Sequence, residues 1–210
     1  MSRRHIILSL LILAGATCVV AQQPVTIVNQ SLQTIQASAC KARFSLTQRV
    51  ARGEQPVQVD GTIVMKGEKF HIDSKDIKAW FDGKTQWVYM VDQGEVSITE
   101  PTAEEAADMN PILLVKEYID NCRIIFSTTE QDQTHHVIEF YPKDKMSELL
   151  CLTLRIRKSD KIPTSVNIKT SKGGMTNLRL TNVQTHQQTT EASFKFDKSK
   201  FKDVYINDLR

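Results

Sequence analysis

Along most of the chain, apolar and polar residues alternate with a period of two, and two segments break that rhythm with helical spacing. The first holds Val25, Val28, Leu32, Ile35 and Ala39 at steps of three and four, which predicts an amphipathic helix of about four turns. From 42 to 50, Ala42, Phe44, Leu46 and Val50 alternate with Arg43, Ser45, Thr47 and Arg49, the pattern of a strand with one dry and one wet face. Further strands are predicted at 61–66, 69–73, 77–81, 86–91 and 96–99. Asp82-Gly83 marks the tight turn of a hairpin, because that turn needs positive φ. The second helical segment spans 103–119 as two short pieces, the later one capped by Asn110 and begun by Pro111. Strands then resume at 123–128, 135–141, 149–157, 165–170, 176–183 and 191–196, giving about ten or eleven in all.

No alternation of strand and helix appears, so the expected class is mainly β with a few helices, a meandering antiparallel sheet in one domain. A sheet of that many strands must curl or close, and its inner face needs apolar cover. The apolar positions are dense: Phe44 and Leu46; Trp87, Tyr89 and Val91; Ile138 and Phe140; Leu150, Leu152, Leu154 and Ile156; Phe194 and Phe196. One N-terminal helix and one broken helix are too little to cover such a face, so part of it is expected to line a cavity for an apolar ligand.

The N-terminus changes the compartment. Arg3 and Arg4 precede an apolar run at 6–16, and Val19-Val20-Ala21 fits a peptidase site. Residues 1–21 are therefore expected to be a secretory signal peptide cleaved after Ala21, leaving 22–210 as the exported chain. Lipidation at Cys18 is the alternative, although Gly15-Ala16-Thr17 departs from the usual lipoprotein pattern. The run is shorter than the about 20 apolar residues of a membrane span, so the protein is not expected to span a membrane. Removal of Arg3 and Arg4 leaves 25 bases against 24 acids, well interleaved, which argues against a nucleic-acid partner. Cys40, Cys122 and Cys151 are an odd set that permits one disulfide at most, and they read as small apolar core residues.

Candidate chemistry is sparse. There is no Gly-x-Ser-x-Gly elbow, His-Glu-x-x-His or phosphate-binding Gly-rich loop. His135 and His136 must face opposite ways on a strand and cannot share a metal. Glu104-Glu105 suits the start of a helix, where the macrodipole favours negative charge. The reading is a binder, not an enzyme, with no cofactor and no metal.

Asp82-Gly83-Lys84-Thr85-Gln86-Trp87-Val88-Tyr89, Asn110-Pro111-Ile112-Leu113-Leu114, and Phe194-Lys195-Phe196 with Asp203-Val204 resemble, in order and spacing, the LolA-like periplasmic lipoprotein carriers. The resemblance implies an incomplete antiparallel β-barrel, a half-barrel with a helical lid over an apolar cavity, and lipoprotein acyl chains as cargo. It also implies an inner-membrane ABC-type lipoprotein-releasing complex and an outer-membrane receptor as partners, and a monomeric carrier. The cavity residues it suggests are Phe44, Leu46, Trp87, Tyr89, Phe140, Leu152 and Leu154, with Leu113 and Leu114 from the lid. Where the family's best-studied members carry an Arg-Pro pair whose Arg holds the lid, this chain has Met65-Lys66-Gly67, and Lys lacks the planar donor fork. Two other functions fit the same pattern: a periplasmic binder or sensor of free lipids or glycolipids, and a non-catalytic interaction scaffold.

Overall fold

Pro24 stands at the start of helix α1 (Pro24–Gln36), where its fixed φ suits a helix and its missing N–H has no intrahelical partner to lose. The structure is a computed structural model and describes residues 23–102, 105, 111–130 and 132–210, with the side chains of 111–113 left out. The predicted signal peptide at 1–21 and the helical piece at 103–109 lie outside the described residues, apart from helical Glu105. The buried stripe of α1 is Ile27, Val28, Ser31, Leu32 and Ile35, whereas Val25 turns to solvent.

Strands follow in hairpins: β1 (Cys40–Arg49), β2 (Val57–Lys66), β3 (Lys69–Ser74), β4 (Ile77–Phe81), β5 (Gln86–Met90) and β6 (Glu95–Thr99). Helix α2 (Pro111–Asn121) comes next, then β7 (Cys122–Phe126), β8 (His135–Pro142), β9 (Leu149–Arg157), β10 (Pro163–Thr170), β11 (Met175–Gln184) and β12 (Tyr205–Asp208). All twelve belong to one open sheet in the order β12-β6-β5-β4-β3-β2-β1-β11-β10-β9-β8-β7. The half-barrel expectation holds as an open sheet not closed into a barrel. One pairing departs from the antiparallel expectation: β12 runs parallel to β6, a return that no local pattern announces.

The β4–β5 hairpin forms where Asp82-Gly83 predicts it. Gly83 has φ +100°, and the Asp82 carboxylate accepts from the amides of Lys84 and Thr85 at 3.1 and 2.9 Å. Two expectations need correction. The segment 191–196 is not a strand, because Glu191–Phe194 forms a 3-10 turn closed by a Thr190–Ser193 capping box. Leu150 does not share the face of Leu152, because an irregularity in the β9–β10 pairing shifts the register there, burying Leu149 and exposing Leu150.

Register places Ala42, Ile63, Ile72 and Ala79 in one cross-strand row on the inner face. Phe140, Leu152 and Ile168 form another, and Ile138, Leu154 and Val166 a third. The stripe of α1 and Val115 of α2 seal this inner face into one apolar cluster. Cys40 and Cys122 are buried there and all three described thiols are free, so the permitted disulfide does not form; burial pushes the Cys40 thiol up to about 11.

A second apolar layer covers the outer face of β3–β6. Phe196 and Phe201 from the segment between β11 and β12 pack edge-on against Trp80, and Phe201 against Tyr89. His71 stacks on Trp80 at 5.1 Å, and Phe194 is fully buried. Ion pairs Lys69–Glu191 and Lys195–Asp82 hold the segment down.

Candidate functional site

Four neighbouring strands share one apolar wall. Pairing of β1 with β2 and β11, and of β11 with β10, sets Leu46 opposite Val59 and Leu178, with Val166 and Ile168 beyond. Ile72, Ser74 and Ile77 extend the wall onto β3 and β4, and Leu114 reaches in from α2. Together they enclose a cavity of about 250 Å3, close to the lower end of the roughly 300–1,000 Å3 range of small-molecule sites. Its polar groups are the hydroxyls of Ser74 and Thr176, and Ser74 is satisfied locally by the backbone of Ile77 at 2.7 and 3.0 Å. Among the described residues no ionisable side chain lines it.

Exposure grades along the cavity. Ile63, Val166 and Leu180 are buried at its inner end beneath α1, whereas Leu46, Val59, Ile168, Thr176 and Leu178 are only half-buried. The cavity therefore opens toward the strand ends at 49, 57, 170 and 175. Gly61 shapes the wall: a Cβ there would stand 2.8 Å from the Phe44 ring and 2.5 Å from the Asp73 carbonyl, so glycine lets that ring lie across β2. Depressions of about 550 and 450 Å3 on the outer face are larger but shallow, walled mostly by polar residues such as Arg43, Ser45, Thr47 and Arg179.

The structure brings Phe44, Leu46 and Leu114 together at this cavity. It does not bring the other proposed cavity residues there. Phe140, Leu152 and Leu154 are at most 2% exposed and pack inside the core cluster, filled by neighbouring strands and α1. Trp87 and Tyr89 lie on the opposite face, since Trp87 pairs with Trp80 and Tyr89 with Lys78, both on the outer side. The C-terminal segment, not a ligand, covers Tyr89. Leu113 belongs to α2, with its side chain outside the described residues. Val59, Ile72, Ile77, Ile168 and Leu178 were missed; their signal was the same two-residue alternation, but it becomes a site only once hairpin register aligns it with Phe44 and Leu46.

Titratable groups cluster away from the cavity. Tyr141 donates to Glu139 at 2.8 Å and Ser127 donates to its other oxygen at 2.7 Å; the Tyr141 hydroxyl is pushed up to about 12, chiefly by that bond to the carboxylate. His135 contacts Asp132 while His136 meets Lys161 and Phe126, in line with opposite facing. Among the described residues no group of three His, Cys, Asp or Glu side chains could hold a metal, and no helix is long and apolar enough to cross a membrane.

Lys66 is exposed on the outer face, where its charge helps hold the Glu191 carboxyl below its usual range, behind the larger effect of Lys69. Lys116 of α2 pairs with Glu68 of the β2–β3 turn at 3.2 Å.

Residues 36–174 match the family model described as outer membrane lipoprotein carrier protein LolA. Among solved structures, the chain is similar to an uncharacterized conserved protein from Thermus thermophilus, at 10% identity and a TM-score of 0.55, covering 87% of this chain and 97% of that one. A LolA superfamily protein from Nitrosomonas europaea aligns at 9% identity and a TM-score of 0.44, over 84% and 99% of the two chains. A putative outer membrane lipoprotein-sorting protein domain from Vibrio parahaemolyticus aligns at 12% identity and 0.44, over 82% and 96%. No curated protein matches. With the family model spanning well over half of it, the chain belongs to the LolA outer membrane lipoprotein carrier family.

Proposed function

We propose that this protein is a periplasmic carrier that shields the acyl chains of lipoproteins in transit to the outer membrane. The observation that carries the reading is the cavity beside α2: its walls are apolar but for the hydroxyls of Ser74 and Thr176, hold no ionisable group among the described residues, and are half-open at one end. Such a lining suits binding more than bond-making. Covering apolar surface contributes about 25 cal/mol per Å2, so an acyl chain would be held without polar recognition. Family membership supports the class of cargo.

In this reading α2 is the lid and residues 1–21 are the signal that delivers 22–210 to the periplasm. Lys116–Glu68 is the latch, in place of the arginine used elsewhere in the family. Both partners of that pair are substantially exposed, 43% and 55%, so it contributes about 0–1 kcal/mol and opens readily. Carriage is passive: an inner-membrane ABC-type complex loads the cavity and a more apolar outer-membrane receptor empties it.

The test is lipid mass spectrometry on protein purified gently from its host envelope, beside a matched periplasmic control. Enrichment of diacylated or triacylated lipoproteins is expected. Unmodified phospholipid alone would make the protein a free-lipid binder. A ligand-free protein that ignores fluorescent fatty acids would sink both readings.

A further inference from the structure

We propose that the loop rim at the open end of the cavity docks on a lipid surface bearing anionic head groups, an inference that rests on the acyl-carrier reading for its purpose. Of the ten large apolar side chains that stand exposed among the described residues, seven lie at this end of the sheet. Four of the seven sit in or beside three turns: Val50 (70% exposed), Val57 (64%), Met146 (88%) and Met175 (47%).

The turns at 50–56, 143–148 and 171–174 are tied into one platform. The Arg52 amide donates to the Lys172 carbonyl at 3.0 Å and the Ser171 amide to the Glu148 carbonyl at 2.9 Å. Arg49 donates to the Gly173 carbonyl at 3.1 Å. Gly174 permits the close approach, since a Cβ there would stand 2.5 Å from the Val50 carbonyl. The three turns are thus held together, with the exposed apolar side chains standing in or beside them.

Charge names the occupant. These turns and the strand ends beside them carry Arg49, Arg52, Lys143, Lys145, Lys169 and Lys172 against Glu54, Asp144 and Glu148. Three of the bases are engaged: Arg49 with Gly173, Lys143 with the Asp120 carbonyl and Lys172 with Glu148. Arg52, Lys145 and Lys169 are exposed at the same end of the sheet and form no ion pair among the described residues. Separate protruding side chains between cations match a bilayer interface, where each inserts individually among phosphates.

The rim also adjoins the cavity mouth. Met175 precedes Thr176, Lys169 follows Ile168, and Val57 lies two residues from Val59, all three neighbours being cavity walls. A chain leaving the cavity at this end would pass from protein to bilayer with little exposure to water.

The experiment is co-sedimentation of the purified protein with vesicles of phosphatidylcholine alone or mixed with phosphatidylglycerol, across a salt series, with a soluble fluorescent fatty acid as a parallel readout. Binding is expected on the mixed vesicles and should weaken with salt. Arg52→Gln with Lys145→Gln should weaken it about fivefold per base removed. Val50→Ser with Met146→Ser should weaken it about tenfold per side chain. All four positions are exposed, so unchanged circular dichroism and fatty-acid binding are expected for both variants. No sedimentation, equal and salt-independent binding to both vesicle types, or variants indistinguishable from the parent protein would overturn the proposal. So would capture of an acidic protein by the rim without vesicle binding. Vesicle binding without fatty-acid binding would keep the docking surface and remove the carrier reading, whereas the converse would remove only the docking surface.

Discussion

Replacing Leu46 with Gln separates a cavity wall from a packed core. Leu46 is half-buried on β1 between Val59 and Leu178. Full burial of a leucine stabilises by about 1.5–3 kcal/mol, so an acyl chain covering its exposed half gains about 1 kcal/mol from it. A glutamine amide facing the chain adds a desolvation cost of about 1–3 kcal/mol. Acyl affinity should therefore fall by about 2–4 kcal/mol, roughly 30- to 1,000-fold. Without ligand the amide reaches solvent at the mouth, and the stability loss should be about 1 kcal/mol or less, a Tm shift of roughly 2–4 °C. Leu152→Ala is the control. Leu152 is fully buried, so truncation should cost about 3–5 kcal/mol and roughly 6–20 °C in Tm, with acyl affinity of the folded protein little changed. Displacement of a fluorescent fatty acid and thermal melts by circular dichroism measure the two quantities. If Leu46→Gln folds like the parent and binds the probe equally well, the cavity is not the acyl site.

Other outcomes follow from the same geometry. Lys116→Met should leave the melt nearly unchanged but speed amide exchange in 114–121, since it releases α2 from Glu68; unchanged exchange would show that the pair does not hold the helix. Burial holds the His71 pKa below its ordinary value of 6.5, so the unfolded chain binds more protons than the folded one as pH falls through that value. Stability is then full above that value and declines below it; His136 shares the sign through burial, Lys161 and Lys158. Urea midpoints at neutral and mildly acid pH should differ less in His71→Phe, which keeps a ring against Trp80. Gly83→Ala should cost about 1–2 kcal/mol from backbone strain alone, because no atom lies closer than 3.9 Å to the added Cβ. Among the described thiols, Cys151 should react first with a polar thiol reagent on native protein, with Cys40 and Cys122 protected until unfolding.

The two-residue alternation around Phe44 and Leu46, the step of Val28, Leu32 and Ile35, and the Asp82-Gly83 turn were each decided by a few adjacent residues. Dihedral preference and side-chain direction act over that range, so strands, first helix and hairpin were legible in the sequence. Alternation, however, says only that one side of a strand is dry. Trp87 and Tyr89 carry the same signature as Phe44 and Leu46 yet face the other way, because Phe196 and Phe201 return from more than a hundred residues downstream to cover the outer face. Leu150 changed sides at a register shift, and β12 found β6 as a parallel partner across an interval of about a hundred residues. Whether a dry face becomes packed core, as at Leu152, or open cavity wall, as at Leu178, depends on where α1 and α2 run out of side chains to cover it. That is a property of the assembled sheet and its covering layers, fixed by contacts between residues far apart in the chain. The sequence by itself determined which residues must leave water, and only the tertiary structure decided what they meet.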